Sequence, residues 1–266
     1  MAAAELAAES PSAQVTEQAA RPRVTVVIPA RDEAARITGV LDRLFAAVRG
    51  PAEVLVVVDT AADSTVAPVQ AYADRAGAGG ARPACLVNGY GSGPASAIRF
   101  GLDHASAPVI VVLMADGCDD AAQTDDLVLL VEQGAVIAAA SRYAPGGSQR
   151  GAPVLKRSLS RLAGRSLRAL AGAGTCDATN SFKAYSAEFV RVAGVQSQRG
   201  FSVGIELTAK ARRLRLPVAE IPTSWQERRS GRSGFRLVRW LPAYLRWYLY
   251  CFGRPLGDGA GGAAGD

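Results

Sequence analysis

A chain of 266 residues that is 49% hydrophobic and 20% charged has material for a full core, in one large domain or one domain with an appendage. Its net charge of +6 is almost all arginine, Lys156, Lys183 and Lys210 being the only lysines. Phosphate-bearing molecules or an acidic membrane surface are therefore the expected partners, and nucleic acid is not. The scattered cysteines Cys85, Cys118, Cys176 and Cys251 exclude a zinc motif or disulfide framework, and no apolar run approaches the ~20 residues of a membrane span. With no basic leader, the chain reads as cytoplasmic, with peripheral association at the inner face of the membrane.

In chain order, residues 1–22 are rich in Ala, Glu, Gln and Ser and are expected to be disordered. Val24 to Ile28 is a first strand broken by Pro29, and the following helix carries Ile37, Leu41, Leu44 and Val48 on one face. Glu53 to Val58 is a second strand ending at Asp59, with Asp63 as the expected cap of the next helix. A short strand over Ala84–Asn88 runs through Gly89, Gly91 and Gly93 into a helix ending near His104. The run from Val109 to Met114 reads as a strand buried on both faces, closed by Asp116, Asp119 and Asp120. Asp119 or Asp120 also suits the cap of the helix expected over Thr124–Gln133. A strand over Ala135–Ala140 completes an alternating pattern whose economical fold is a mostly parallel sheet flanked by helices.

Beyond Ser141 the pattern changes. A Gly/Pro-rich loop leads to a basic helix over Lys156–Leu170; Cys176–Tyr185 reads as a strand or turn, Phe201–Arg213 as a helix, Pro217–Ile221 as a short strand, and Trp225–Gly234 as a basic loop. Glu206 and Lys210 are spaced for a simple i,i+4 pair. The helix Arg236–Phe252, interrupted by Pro242, gathers Arg236, Arg239 and Arg246 on one arc between Trp240 and Trp247, with Leu241, Leu245, Leu249 and Phe252 opposite. That pattern suits either an interfacial helix, with its aromatics at headgroup depth, or one packed on the core. The expected organisation is a catalytic domain over 23–234, an amphipathic helix over 235–253 and a disordered tail over 254–266.

Three acidic turns, Pro29 to Glu33, Asp59 to Asp63 and Asp116 to Asp120, each follow a strand, so a parallel sheet brings them to one rim. Carboxylates there supply acceptors for a base and ribose and hard oxygen ligands for Mg²⁺ or Mn²⁺ on a diphosphate. The segments Val26-Val-Ile-Pro-Ala-Arg-Asp-Glu33, Val56-Val-Val-Asp59 with Asp63, Ala115-Asp116, Ser141-Arg-Tyr143 and Glu206 resemble family 2 glycosyltransferases of the GT-A fold. Arg228-Arg-Ser-Gly231-Arg-Ser233 is similar to the closing loop of the polyprenyl-phosphate, dolichol-phosphate mannose synthase-like branch.

The resemblance implies an inverting transfer from a UDP- or GDP-sugar to a polyprenyl phosphate, with Mg²⁺ or Mn²⁺ as cofactor. Pro29, Ala30, Arg31, Glu33 and Asp59 would bind the nucleoside, with Gly91 and Gly93 nearby. Asp116, with Asp119, would hold the metal. Arg142, Lys156, Arg157, Ser160, Arg228 and Ser233 would face the acceptor, and Asp116, Arg142 and Arg228 would carry the chemistry. Three positions depart from the family pattern: Val58 and Met114 stand where acidic residues are usual, and Gly234 where lysine is. A phosphate acceptor, already ionised, needs no general base; a soluble hydroxyl acceptor would need one, with Asp177 and Asp119 as candidates. A catalytically inactive nucleotide-sugar-binding relative is the alternative of another class.

Overall fold

The structure is a computed structural model that describes residues 21–76, 82–151, 154–226 and 237–256. Strands β1 (Val24–Ala30), β2 (Ala52–Val58), β3 (Pro83–Val87) and β4 (Val109–Val112) are joined by helices α1 (Ala34–Ala47), α2 (Val66–Arg75) and α3 (Pro94–His104). Then follow α4 (Thr124–Glu132), β5 (Ile137–Ser141), β6 (Ser148–Arg150) and α5 (Val154–Ser166), which continues as a π-helical turn, Leu167–Ala171. The remaining elements are β7 (Lys183–Ser186), α6 (Ala187–Ala193), α7 (Val203–Arg213), β8 (Val218–Pro222), β9 (Ser224–Gln226) and α8 (Leu237–Cys251).

Seven strands form one sheet in the order β3-β2-β1-β4-β7-β5-β8. All run parallel except β7, which lies antiparallel between β4 and β5. The expected α/β sheet flanked by helices is therefore present, and both faces are covered, as parallel sheets require. Alternate side chains of each strand serve two cores. Val24, Val26 and Ile28 meet Ile37, Leu41 and Leu44 of α1 and Leu127 of α4. Val27, Val57 and Ile110 meet Ile98 and Leu102 of α3 and Leu207 of α7. The α3 helix lies so close to β1 that a Cβ on Gly101 would stand 2.2 Å from Val27 Cγ1.

Several elements differ from expectation. Pro29 does not end β1: the strand runs to Ala30 and Pro29 pairs with Val57. Leu113 N donates to Val27 O, so the odd-numbered residues of β1 face β4. Pairing with β4 stops at Val27, and the donor that proline lacks is not needed. Asp63 does not cap α2; Thr65 holds the cap position and Asp63 braces two turns instead. Asp120 caps a short 3₁₀ turn, Ala121–Gln123, just before α4. The segment after Cys176 resolves into a turn followed by β7, and α6 is an additional helix. The Gly/Pro-rich loop and the start of the basic loop contain β6 and β9, which pair with each other. Residues 227–236, including Arg228, Ser233 and Arg236, lie outside the described residues, as do 1–20 and 257–266.

Of the two placements the sequence leaves open for the C-terminal helix, its Trp247 side takes the one packed on the core. Trp247 is 2% exposed, packed with Cys251 against Leu167 and Ala171, and its indole N–H donates to Ser197 Oγ. Leu241, Leu245, Leu249 and Phe252 face outward. Glu206 and Lys210 form more than a surface pair. Both are buried, and the Glu206 carboxylate also accepts the backbone N–H groups of Gln196 and Ser197 at 2.7 Å.

Candidate active site

Because β2, β1 and β4 are parallel neighbours, the turns after them share the carboxyl rim of the sheet. Hydrogen bonds between turns knit the rim together. Asp63, buried, accepts Asp32 N at 3.1 Å and Thr65 N at 2.8 Å, and Thr65 Oγ1 accepts Glu33 N at 3.0 Å. These bonds hold Asp32 in the left-handed region, at φ 55°. Glu33 is buried and paired with Arg36 at 3.0 Å, while Arg31 is exposed. Asp59, half-buried, accepts Gly93 N on both oxygens at 3.1 and 3.0 Å, tying the second turn to the third. Gly91 and Gly93 have φ of 94° and 110°, and the space beside each is open, so the backbone is bare on that side of the rim.

The fourth turn carries Asp116, half-buried, and Asp119, buried. Asp116 Oδ1 accepts Cys118 N at 3.0 Å and Asp119 Oδ2 accepts Met114 N at 3.2 Å. Burial first, then the charge of Asp116, push the Asp119 carboxyl up to about 7. A buried carboxyl raised in part by the charge of a neighbouring carboxylate marks a place that a cation would suit. Among the described residues no group of three or more His, Cys, Asp or Glu stands ready to hold a metal, so a cation here would draw its remaining ligands from diphosphate oxygens and water.

A second cluster follows β5. The Arg142 guanidinium grips Asp177 in a fork, Nε to Oδ2 at 2.7 Å and Nη2 to Oδ1 at 2.8 Å, and the Arg142 backbone N–H adds a third bond at 3.0 Å. Thr179 Oγ1 lies 3.4 Å from Nη2 and 2.7 Å from Ser160 Oγ on α5. Arg142 Nη1 has no acceptor among the described residues. Burial works against ionisation of Asp177, but Arg142's charge and hydrogen bonds prevail and hold its carboxyl below the ordinary value. A fully buried carboxylate so paired is a poor general base, which removes Asp177 from that role. The opposing burial and Asp177 charge leave Arg142 raised.

The rim thus brings together Pro29, Ala30, Glu33, Asp59, Gly93 and Asp116, while Arg142 and Ser160 meet through Thr179. Arg157 is half-buried one turn before Ser160, and Lys156 sits in the first turn of α5. Sequence reasoning missed the bracing role of Asp63 and Thr65, Thr179 as the link between helix and arginine, and Lys183. The lysine was open to notice: a charged residue opening a strand inside a sheet needs partners.

An α/β sheet with acidic turns along its carboxyl rim and one antiparallel strand inserted is the GT-A class of nucleotide-sugar enzyme folds. The chain belongs to glycosyl transferase family 2, whose profile matches residues 25–193. It is 33% identical over 127 residues to a polyprenol monophosphomannose synthase of Mycolicibacterium smegmatis, a match spanning 47% of this chain and 48%, about half, of that relative. It is 27% identical over 213 residues to an undecaprenyl-phosphate mannosyltransferase of Micrococcus luteus, spanning 79% of this chain and 86% of the relative. Glucosyl-3-phosphoglycerate synthase of Mycobacterium tuberculosis, solved with Mn²⁺, UDP and glucosyl-3-phosphoglycerate, superposes with a TM-score of 0.61 at 22% identity, covering 90% of this chain and 82% of that one. A mannosyltransferase of Pyrobaculum calidifontis with GDP-Man and Mn²⁺ gives a TM-score of 0.58 at 20% identity, covering 86% and 63%.

Proposed function

We propose that this protein transfers a sugar, with inversion, from a UDP- or GDP-sugar to a polyprenyl phosphate at the cytosolic surface of a membrane. The acidic rim receives the nucleotide, with Asp59 and Glu33 toward the nucleoside. Asp116 and Asp119 would hold Mg²⁺ or Mn²⁺, which when bound offsets charge on the departing diphosphate. The resemblance adds Arg228 and Ser233, closing over the diphosphate. Arg142, Arg157 and Ser160 face the acceptor, and the pairing of Asp177 with Arg142 favours an acceptor that is already ionised.

The observation that carries the lipid acceptor is the two-sidedness of α5. One side bears Arg157 and Ser160, hydrogen-bonded to Thr179 of the arginine cluster. Another bears Leu159, Leu162 and Leu170, the last two 69% and 75% exposed. Ser166, on that same stripe, bonds Tyr248 at 2.8 Å, so the stripe adjoins the outward leucines of α8. Residues 154–171 and 237–251 contain no Asp or Glu, while Arg161, Arg165, Arg239 and Arg246 are exposed along them. An apolar ridge rimmed only by arginine suits an anionic bilayer.

The test is flotation with phosphatidylcholine vesicles, with and without phosphatidylglycerol, alongside transfer assays. Submerging two leucines is worth roughly 3–6 kcal/mol, so Leu245→Glu/Leu249→Glu should cut vesicle binding by about 100-fold or more. Transfer to undecaprenyl phosphate should fall with it, while transfer to the short, water-dispersed farnesyl phosphate persists. Undiminished flotation and lipid transfer would overturn the reading. A second reading is a soluble phosphate-bearing acceptor. It is favoured by the likeness to glucosyl-3-phosphoglycerate synthase and by the lack, among the described residues, of any helix able to cross a membrane. Transfer to phosphoglyceric acid but not to either lipid would select it.

A further inference from the structure

Lys183 opens β7 between β4 and β5 and is fully buried. Placing an ammonium there costs several kcal/mol unless its donors are met. Burial pushes the group down to about 7 against the pull of Asp177. No carboxylate among the described residues makes a salt bridge with it. Its Nζ instead donates to the backbone carbonyls of Asp177 and Ala178, both at 3.2 Å, and of Asn180. Three acceptors from one turn match the three N–H bonds of an ammonium. Gly204 of α7 leaves the room: a Cβ there would stand 3.0 Å from Asn180 O and 3.4 Å from Nζ.

The turn so gathered is the one that presents Asp177 to Arg142. Asn180 closes it on the other side, its backbone N–H on Asp177 Oδ1 at 3.2 Å and its amide on Ala140 O at 2.8 Å, two residues before Arg142. We infer that Lys183 is a positioning residue: its ammonium fixes the Asp177–Asn180 turn, and through the Asp177 carboxylate it sets the plane of the Arg142 guanidinium, so that the unshared Nη1 edge is aimed at an incoming phosphate group. The phosphate part of this rests on the acceptor reading above; the hold of lysine on arginine does not.

The groups that act on Lys183 are Asp177, Arg142 and Asp119, and all remain in Lys183→Met. The experiment follows the Arg142 Nε–H resonance in ¹⁵N-arginine-labelled full-length protein, assigned by its loss in Arg142→Lys. In wild type that proton, locked to Asp177, should exchange slowly with water. In Lys183→Met it should exchange about tenfold faster or more, with the remaining arginine resonances and Mn²⁺-dependent binding of UDP or GDP unchanged. Farnesyl phosphate affinity, measured in parallel, should fall about tenfold in Lys183→Met and in Arg142→Ala, and no further in the double variant. An unaltered Nε–H in folded Lys183→Met overturns the inference, as does full additivity of the two affinity losses. A faster-exchanging Nε–H in a protein whose wild type ignores farnesyl phosphate supports the positioning role and removes only the acceptor reading. If Lys183→Met does not fold, Lys183→Gln, which keeps two N–H donors without the charge, is read the same way.

Discussion

Removing the Asp177 carboxylate should be among the most damaging single changes to this fold. The side chain is fully buried and accepts five hydrogen bonds: three from Arg142, one from Thr179 Oγ1 and one from Asn180 N. Its partner's side chain is only 10% exposed, so Asp177→Ala strands a buried guanidinium. Breaking a buried pair from one side costs about 3–5 kcal/mol. In a domain of this size that lowers the melting temperature by on the order of 10 °C. Calorimetry or urea titration reads the loss, and Asp177→Ala/Arg142→Met should lose less than the sum of the single changes. The sign of the pH dependence follows from the lowered carboxyl. Its folded value lies below the ordinary 3.8, so its contribution is complete above that value and disappears as pH falls through the folded one. Asp177→Ala should therefore flatten the acid limb of stability against pH. A loss under about 1 kcal/mol, or strict additivity with Arg142→Met, would refute the reasoning.

Asp116→Ala should weaken Mn²⁺ binding in the presence of GDP or UDP about tenfold or more and reduce sugar transfer on the order of 100-fold; turnover near that of the wild type would remove the metal role. Gly101→Ala should destabilise by about 1–3 kcal/mol, because its methyl meets Val27 Cγ1 across the helix–strand contact. Pairing it with Val27→Ala should recover part of that loss in urea unfolding, and no recovery would place the strain elsewhere.

The strands and the acidic rim were legible because each rests on a local signal. Apolar runs such as Val109–Val112 can be satisfied only inside a sheet covered on both faces, and the turn residues that end them fall on the rim by connectivity alone. What escaped depends on partners distant in sequence. Asp63 has the look of a helix cap, yet its carboxylate is used 31 residues away, on Asp32 N. The stretch Cys176–Tyr185 was legible only as a strand or turn, and it is the gap between β4 and β5 that makes Lys183–Ser186 the strand. In α8 both the aromatic and the leucine faces are apolar. Periodicity cannot say which one the molecule covers, and Trp247 went inward because Ser197 offered its indole N–H an acceptor.

Met114, the most conspicuous departure from the family pattern, acquires a physical account from the fourth turn. Its backbone N–H, not its side chain, serves the site by donating to Asp119 Oδ2. That bond folds the turn back so that Asp119, five residues on, is buried close to Asp116, and burial first and then the charge of Asp116 push the Asp119 carboxyl up to about 7. On the proposed reading two carboxylates therefore face the cation position even though the first acidic residue of the motif is absent, and Mg²⁺ needs no more than one or two when a diphosphate supplies the rest. An aspartate restored at 114 would add a charge beside two that already repel. Its value to metal binding would depend on side-chain reach alone, because the backbone at 114 is committed to Asp119.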